Sequence, residues 1–240
     1  MRQIQKRPSF NKIILSPPYS NLISFNKTTQ ILGTYTLEKR SGRHRVFTSL
    51  KKTKNGWYNN SGLRNPGINN LKYKENAIYS IALLKNDDWY VIRDVLRRKN
   101  IPSIEFNISC PNKQVELLNP EIICQANYCF DNVIVKMPHQ ANISFIESYL
   151  ELGVEFIHIS NTKPTKHGAL SGKELVCQNL ETIYQIKTKY PHIQVIGGGG
   201  IYDIQTLKAY ESVGADYFSL STILLNPWKA NKLIKEYNYE

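Results

Sequence analysis

Residues 103–112 read Ser-Ile-Glu-Phe-Asn-Ile-Ser-Cys-Pro-Asn. Ile104, Phe106 and Ile108 alternate with polar residues, which is the period-two pattern of a β-strand. Pro111 ends this strand because proline cannot donate a ladder hydrogen bond. A cysteine and asparagines therefore lie where a strand runs out into a loop, and α/β barrels keep their reactive side chains at such strand ends.

Outward from this stretch, short apolar strands alternate with amphipathic helices. The other predicted strands are 12–15, 30–34, 77–83, 133–136, 155–160, 193–196 and 216–220. The predicted helices are 88–98, 120–127, 142–152, 173–190, 202–213 and one that begins at 226. In the helix over 88–98, Trp89, Val91, Ile92 and Val95 are expected to face inward.

This alternation predicts an α/β fold, a (β/α)8 TIM barrel, as a single domain over residues 1–240. Such barrels typically need about 250 residues, so the 240 residues of this chain suffice for a compact one. The segment Tyr19–Thr29 has room for barely two helical turns, so the first βα unit is expected to be trimmed. Residues 1–11 show no periodicity and are predicted to be an irregular N-terminus.

Charge and cysteine content limit the partner and the compartment. Lys and Arg total 31 against 19 Asp and Glu, a formal net charge of +12. The positive residues are spread over separate segments, so charge alone does not favour a nucleic acid as partner. The four cysteines form no Cys-x-x-Cys pair and have no histidine at metal-ligand spacing, so we predict free thiols and no metal site.

Membrane and targeting signals are not recognisable in the sequence. No apolar run approaches the roughly 20 residues that span a bilayer. Without a signal peptide, a reducing cytoplasm is the expected compartment, and no membrane contact is predicted. The five histidines are scattered, and each is expected to be structural or on the surface.

Polar or glycine residues follow three further predicted strands. Lys136 ends the strand over 133–136, the run Gly197–Gly200 follows that over 193–196, and Ser221-Thr222 follow the eighth strand. In barrels, the loops after strands seven and eight often form one phosphate site. Glycines let the backbone approach a ligand and present N–H groups to an anion. We therefore predict that Gly199, Gly200, Ser221 and Thr222 bind the phosphate of a cofactor.

Several motifs, in order along the chain, resemble those of the dihydroorotate dehydrogenase family. The run over 107–112, Asn-Ile-Ser-Cys-Pro-Asn, matches that family's Asn-x-Ser-(Cys or Ser)-Pro-Asn throughout. Further matches lie at 36–42, 59–67, 161–162 and 168–173. The resemblance covers about residues 30–230. It implies flavin-dependent oxidation of dihydroorotate to orotate in de novo pyrimidine synthesis, with FMN as cofactor.

The resemblance also implies roles for single residues. Cys110 stands at the position of the base that takes a proton from substrate C5, while the hydride from C6 goes to flavin N5. A thiol, with a free pKa of about 8.5 that nearby positive charge lowers, suits this role. The residues implied to bind substrate are Asn59, Asn107, Asn112, Asn161 and Thr162. Those implied to bind the flavin are Lys136, Gly172, Gly199, Gly200, Ser221 and Thr222. Soluble members with a cysteine base are often homodimers.

The chain departs from the family pattern at two places. Gly33 occupies the position of a lysine that the family places near flavin and substrate; Lys39, Arg40 or Arg64 could supply a cation instead. The lid over 112–118 is curtailed, and a short lid excludes water poorly.

Two alternatives stay open. One is an FMN-barrel tRNA dihydrouridine synthase-like enzyme, for which an RNA partner would suit the charge of +12, although those enzymes carry Gly-Cys-Pro at the cysteine. The other is a flavin-binding relative that has lost turnover, suggested by Gly33. The electron acceptor (fumarate, a quinone, or NAD through a partner subunit) also stays open.

Overall fold

The computed structural model describes residues 10–41, 50–54, 56–59, 62–108, 118–160 and 162–239. Eight parallel strands close into a barrel. They are β1 (Ile13–Leu15), β2 (Thr28–Tyr35), β5 (Ala77–Ile81), β6 (Ser103–Asn107), β7 (Asn132–Lys136), β8 (Phe156–Ile159), β11 (Gln194–Gly198) and β12 (Tyr217–Leu220). Around the barrel they follow the order β1-β12-β11-β8-β7-β6-β5-β2. The predicted (β/α)8 TIM barrel is therefore confirmed.

Helices connect the strands on the outside of the barrel. They are α1 (Asp88–Arg98), α2 (Pro120–Cys129), α3 (Ile143–Leu150), α4 (Val176–Lys189), α5 (Ile204–Ser212) and α6 (Pro227–Tyr239). In α1 the buried residues are Trp89, Ile92, Val95 and Leu96. Val91 is 48% exposed, so its predicted inward orientation is wrong: one position back from Ile92, it falls outside the apolar stripe. No described helix is long and apolar enough to cross a bilayer.

The connection between β1 and β2 contains one short 3-10 helix, Tyr19–Asn21. It has no α-helix, which confirms the trimmed first βα unit. Tyr19 and Ser20 are buried in it, and the Ser20 hydroxyl donates to the carbonyl of Ile31 in β2. A buried tyrosine and several hydrogen bonds to β2 thus hold this short connection against the barrel.

A second sheet, which the sequence analysis missed, lies beside the barrel. Its strands are β3 (Leu50–Thr53), β4 (Gly56–Asn59), β9 (Lys163–Thr165) and β10 (Gly168–Ser171), in the order β3-β4-β10-β9. Residues 168–171, within the motif match over 168–173, are a strand that pairs antiparallel with β4. Two hairpins from distant parts of the chain therefore meet here.

The interior of the barrel changes from apolar to polar along the strands. A cluster separate from the main core fills the lower interior and contains Ile14, Ile31, Ile78, Ile134, Phe156 and Ile196. Two residues further along the same strands come Ser16, Gly33, Ser80, Lys136, His158 and Gly198. Side chains two positions apart on a strand share a face. The barrel therefore has a packed apolar base and a polar layer towards the carboxyl ends of its strands.

Candidate active site

A pocket opens above the polar layer, at the carboxyl ends of the barrel strands. Its lining includes these residues that the sequence predicted for the site: Asn59, Asn107, Lys136, Thr162, Gly199, Gly200, Ser221 and Thr222. Gly172 is next to the pocket, since its carbonyl lies 2.7 Å from where a Cβ of Gly200 would be. Strand ends far apart in sequence thus meet at one cavity, as the barrel rule predicts.

Three predicted site residues lie outside the described part of the chain. They are Cys110, the predicted base, and Asn112 and Asn161, predicted to bind substrate. Their neighbours do line the pocket: Asn107 belongs to the same motif as Cys110, and Thr162 follows Asn161. The roles of these three residues remain predictions.

A buried chain of hydrogen bonds runs through the polar layer. Glu105, on β6, accepts from the Ser80 hydroxyl at 2.7 Å with Oε1 and contacts His158 Nδ1 at 2.6 Å with Oε2. His158 Nε2 lies 2.6 Å from the Ser160 hydroxyl. Glu105 and His158 are 1% and 0% exposed. Glu105 and Ser160 are both among the residues that line the pocket, and His158 lies between them. The chain therefore leads from the barrel interior to the cavity.

The charges around this chain fix its protonation. Burial by itself would raise the pKa of Glu105, but the contact with His158, the Lys136 ammonium and the bond from Ser80 outweigh it and lower that pKa. Burial and the positive charge of Lys136 lower the pKa of His158, against the opposing effect of Glu105. An ionised carboxylate on Glu105 and a neutral imidazole on His158 are the result.

Asn107 has a buried oxygen with no partner among the described residues. Its Nδ2 donates to the Thr34 hydroxyl at 3.1 Å, and that hydroxyl lies 3.0 Å from the Ser80 hydroxyl. Its Oδ1 is buried and makes no hydrogen bond. Leaving such an acceptor unpaired costs about 1–3 kcal/mol, so a ligand donor in the pocket is the natural partner for it.

The glycine run has two functions rather than one. A Cβ at Gly197 would lie 2.9 Å from both Ile183 and Tyr210, so this glycine is required by packing. The ligand role predicted for the glycine run therefore does not extend to Gly197. Gly199 and Gly200 line the pocket with φ of +92° and +79°, where L side chains are strained.

The position of the missing lysine also lines the pocket. Gly33 has φ +118°, and a Cβ there would lie 2.5 Å from the Ser80 carbonyl oxygen. The local backbone therefore disfavours a lysine here, so the chain differs from the family pattern in backbone conformation as well as in the missing side chain. Of the three cations that could substitute for the lysine, Arg64 is among the residues that line the pocket, whereas Lys39 and Arg40 are not.

Sequence reasoning missed Glu105, Ser160 and the partners of His158. His158 was expected to be structural or on the surface, and it is buried between Glu105 and Ser160. The spacing of these residues could have revealed them. Glu105 and Asn107 share one face of β6, and Ser160, which directly follows β8, shares a face with His158. Within the described residues, no group of three His, Cys, Asp or Glu side chains could hold a metal ion, and Cys124, Cys129 and Cys177 are free thiols.

Comparisons with known proteins agree with the motifs. The chain is 26% identical over 223 residues to the "dihydroorotate dehydrogenase B (NAD(+)), catalytic subunit" of Malacoplasma penetrans, covering 78% of this chain and 72% of that protein. The protein of the same name from Petrotoga mobilis is also 26% identical, over 83% and 77%. The protein of the same name from Listeria monocytogenes is 26% identical, and the match covers 91% of this chain and 83% of that protein. No protein-family model matches the chain.

A solved structure supports the fold. A dihydroorotate dehydrogenase from Eimeria tenella, crystallised with ferulenol, matches with a TM-score of 0.64 and 15% identity, over 87% of this chain and 73% of that one. At this identity the match bears on the barrel alone. In its motifs, its barrel and its curated relatives, the chain is similar to dihydroorotate dehydrogenases over most of its length.

Proposed function

We propose that this protein oxidises dihydroorotate to orotate with a bound flavin. The observation that carries the proposal is the pocket at the carboxyl ends of the barrel strands, lined by polar strand ends that match the family motifs. The relatives named dihydroorotate dehydrogenase support the same reaction. The names of these relatives favour this reaction over the modification of tRNA.

The described residues fit FMN as the flavin. Gly199 and Gly200, after β11, and Ser221 and Thr222, after β12, are at adjacent strand ends, and a Cβ on Gly200 would meet the Gly172 carbonyl. We propose that these residues hold the phosphate, with backbone N–H groups and hydroxyls as donors. The unpaired Oδ1 of Asn107 leaves an acceptor for a ring N–H. When bound, FMN supplies a two-electron acceptor for hydride.

The chain's own groups would then orient the substrate and manage charge and protons. Asn59, Asn107 and Thr162 present amide and hydroxyl groups that suit the carbonyl and N–H edge of a pyrimidine. Lys136 would stabilise negative charge that develops in the pocket. Cys110 is proposed as the base for the substrate proton.

The test is anaerobic mixing of FMN-loaded protein with dihydroorotate, followed at the oxidised-flavin absorbance band. We expect rapid bleaching that Cys110→Ala abolishes. Cys124→Ala is the matched control, since Cys124 is an exposed free thiol on α2, outside the pocket lining. If wild-type protein binds FMN tightly but does not bleach, the proposal fails and a binding protein without turnover is the better description.

The electron acceptor and the assembly are the least constrained part of the proposal. The relatives' names combine NAD(+) with "catalytic subunit". We propose that reoxidation by NAD also requires a second kind of subunit here, in a cytoplasmic enzyme whose catalytic chains pair as a homodimer. FMN-loaded chain that passes electrons from dihydroorotate to NAD without any partner would contradict this.

A further inference from the structure

We propose that the Glu105–His158 pair fixes Ser160 as a hydrogen-bond acceptor that recognises a ring N–H of the bound ligand. The inference deepens the proposed function and rests on its assignment of this pocket as the ligand site. It concerns residues that the family motifs quoted above do not include. The ligand chemistry it selects is a planar lactam, an N–H next to a carbonyl, which the flavin ring and the pyrimidine ring share.

The first step is the position of the proton on His158. An ionised carboxylate can only accept hydrogen bonds. The 2.6 Å contact between Glu105 Oε2 and His158 Nδ1 therefore requires a proton on Nδ1. In a neutral imidazole the other nitrogen then carries a lone pair. His158 Nε2 is thus an acceptor.

The second step is the orientation of the serine hydroxyl. Ser160 has one hydroxyl hydrogen, and its oxygen lies 2.6 Å from His158 Nε2. The hydrogen must point to that nitrogen, so only lone pairs remain for other partners. The Ser219 hydroxyl, at 3.5 Å, is too far to compete for the hydrogen and lies 2.7 Å from the Ser16 hydroxyl. A serine hydroxyl can normally donate or accept a hydrogen bond. On the pocket side, Ser160 is therefore only an acceptor.

The surroundings of His158 preserve this polarity. Among the described residues, the charged groups that act on the ring are Lys136, its register neighbour on β7, and Glu105 on β6. The adjacent strand β11 contributes Ile196 in register, which has no charge. Lys136 opposes a second proton on the imidazole, and Glu105 holds the first proton on Nδ1.

The pocket therefore presents a defined pattern of groups. Lys136 donates, while Ser160 Oγ and the unpaired Asn107 Oδ1 accept. A site of this kind rejects a ligand without the matching N–H, because its buried acceptor is then left unpaired. N-methylation of the ring nitrogen that faces Ser160 removes that hydrogen.

The first experiment measures the protonation of His158 by ¹⁵N NMR of histidine-labelled protein without ligand, with His158→Gln to assign the signal. We expect a neutral ring with the proton on Nδ1 at pH 7. A charged ring, or a proton on Nε2, would overturn the inference whether or not the protein oxidises dihydroorotate.

The second experiment compares each ligand with its N-methyl analogue, in wild-type protein and in Ser160→Ala. One arm titrates FMN and N3-methyl-FMN into apoprotein by flavin fluorescence; the other titrates orotate and its N-methyl derivatives into FMN-loaded protein. We expect wild-type protein to prefer the N–H form by about tenfold and Ser160→Ala to lose that preference in one arm. That arm identifies the ring that Ser160 faces. An unchanged preference in both arms would overturn the inference, while flavin bleaching by dihydroorotate tests the proposed function separately.

A pH series adds a readout that a merely structural serine would not give. When His158 is protonated, its Nε2–H donates to Ser160, and the hydroxyl hydrogen turns to the pocket. Affinity for the N–H ligand should therefore fall as pH falls through the pKa of His158, which lies below the ordinary histidine value. Ser160→Ala should lose this dependence. Ser103→Ala, a buried serine outside the pocket lining, is the matched control for folding and should retain it.

Discussion

Lys136 is the residue that connects the charge of the pocket to the buried pair beneath it. It lines the pocket, and its positive charge lowers the pKa values of both Glu105 and His158. In Lys136→Met we expect flavin reduction by dihydroorotate to slow about 100-fold, the usual loss when one preorganised charge-stabilising group is removed. Stopped-flow absorbance gives this rate.

The same substitution should raise the pKa of His158, since the cation that opposes a second proton is gone; histidine NMR would show the shift. Lys12→Met is the control, because Lys12 is an exposed lysine that donates to the Asp216 carbonyl, at the amino-terminal ends of the strands. Wild-type reduction rates in Lys136→Met would contradict the role of this ammonium.

The substitution Gly33→Lys restores the lysine that the family pattern has at this position. We expect Gly33→Lys to destabilise the protein by about 2 kcal/mol or more, because a φ of +118° strains any L residue and its Cβ would meet the Ser80 carbonyl oxygen. Urea denaturation gives this change. Gly62→Lys is the control for strain alone: its φ is +64°, and a Cβ there meets nothing within 4 Å. Equal stability of the two variants would show that the close contact at Gly33 is relieved at no cost.

The motif over 107–112 and the polar end of an apolar strand led to Asn107 and Lys136, and both residues line the pocket. Their roles remain predictions. His158 and Ser160 were not identified, because an alternating pattern does not state which face of β8 points into the barrel. The packed apolar base of the barrel supplies that information, because the residues two positions beyond it on each strand form the polar layer.

At the scale of elements, the end of β11 contains a glycine required by packing, and the turn after it contains two glycines that line the pocket. In Gly200→Ala we expect FMN affinity to fall at least about tenfold. The added Cβ would lie 2.7 Å from the Gly172 carbonyl oxygen and displace the turn that is proposed to bind the phosphate. Flavin fluorescence titration measures the affinity. Gly153→Ala has a similar φ of +82° and meets one side chain at 3.5 Å, outside the pocket lining. It should lose similar stability from backbone strain but no FMN affinity, and an equal loss of affinity in both variants would contradict a direct role of this turn.

Periodicity predicted the barrel elements but not the second sheet. The barrel strands are apolar runs with a helix after most of them, so local patterns suffice. Strand β4 pairs with β10, which lies far along the chain, and both are short and half-polar. Such pairing depends on tertiary contacts rather than on propensity, and the sequence pattern therefore did not predict these strands.

At the scale of the whole molecule, the second sheet explains where part of the positive charge acts. Over its described strands and the turns that join them, the sheet carries Lys51, Lys52, Lys54, Lys163 and Lys166 and no Asp or Glu. Asn59 and Ser171 of the same sheet line the pocket. A basic surface at the rim of a pocket attracts an anionic substrate and raises its association rate.

This placement predicts a salt-dependent association with dihydroorotate, which carries a carboxylate under the proposed function. The second-order rate constant for flavin bleaching should fall as ionic strength rises from about 10 mM to 150 mM, as the Debye length shortens from about 30 to 8 Å. The double variant Lys51→Gln, Lys52→Gln should show a lower rate at low salt and a flatter salt dependence. Arg98→Gln, an exposed charge at the carboxyl end of α1, on the opposite side of the barrel, should leave both unchanged. A flat dependence in wild-type protein would mean that these lysines do not guide the substrate and that the charge of +12 must be explained by another partner.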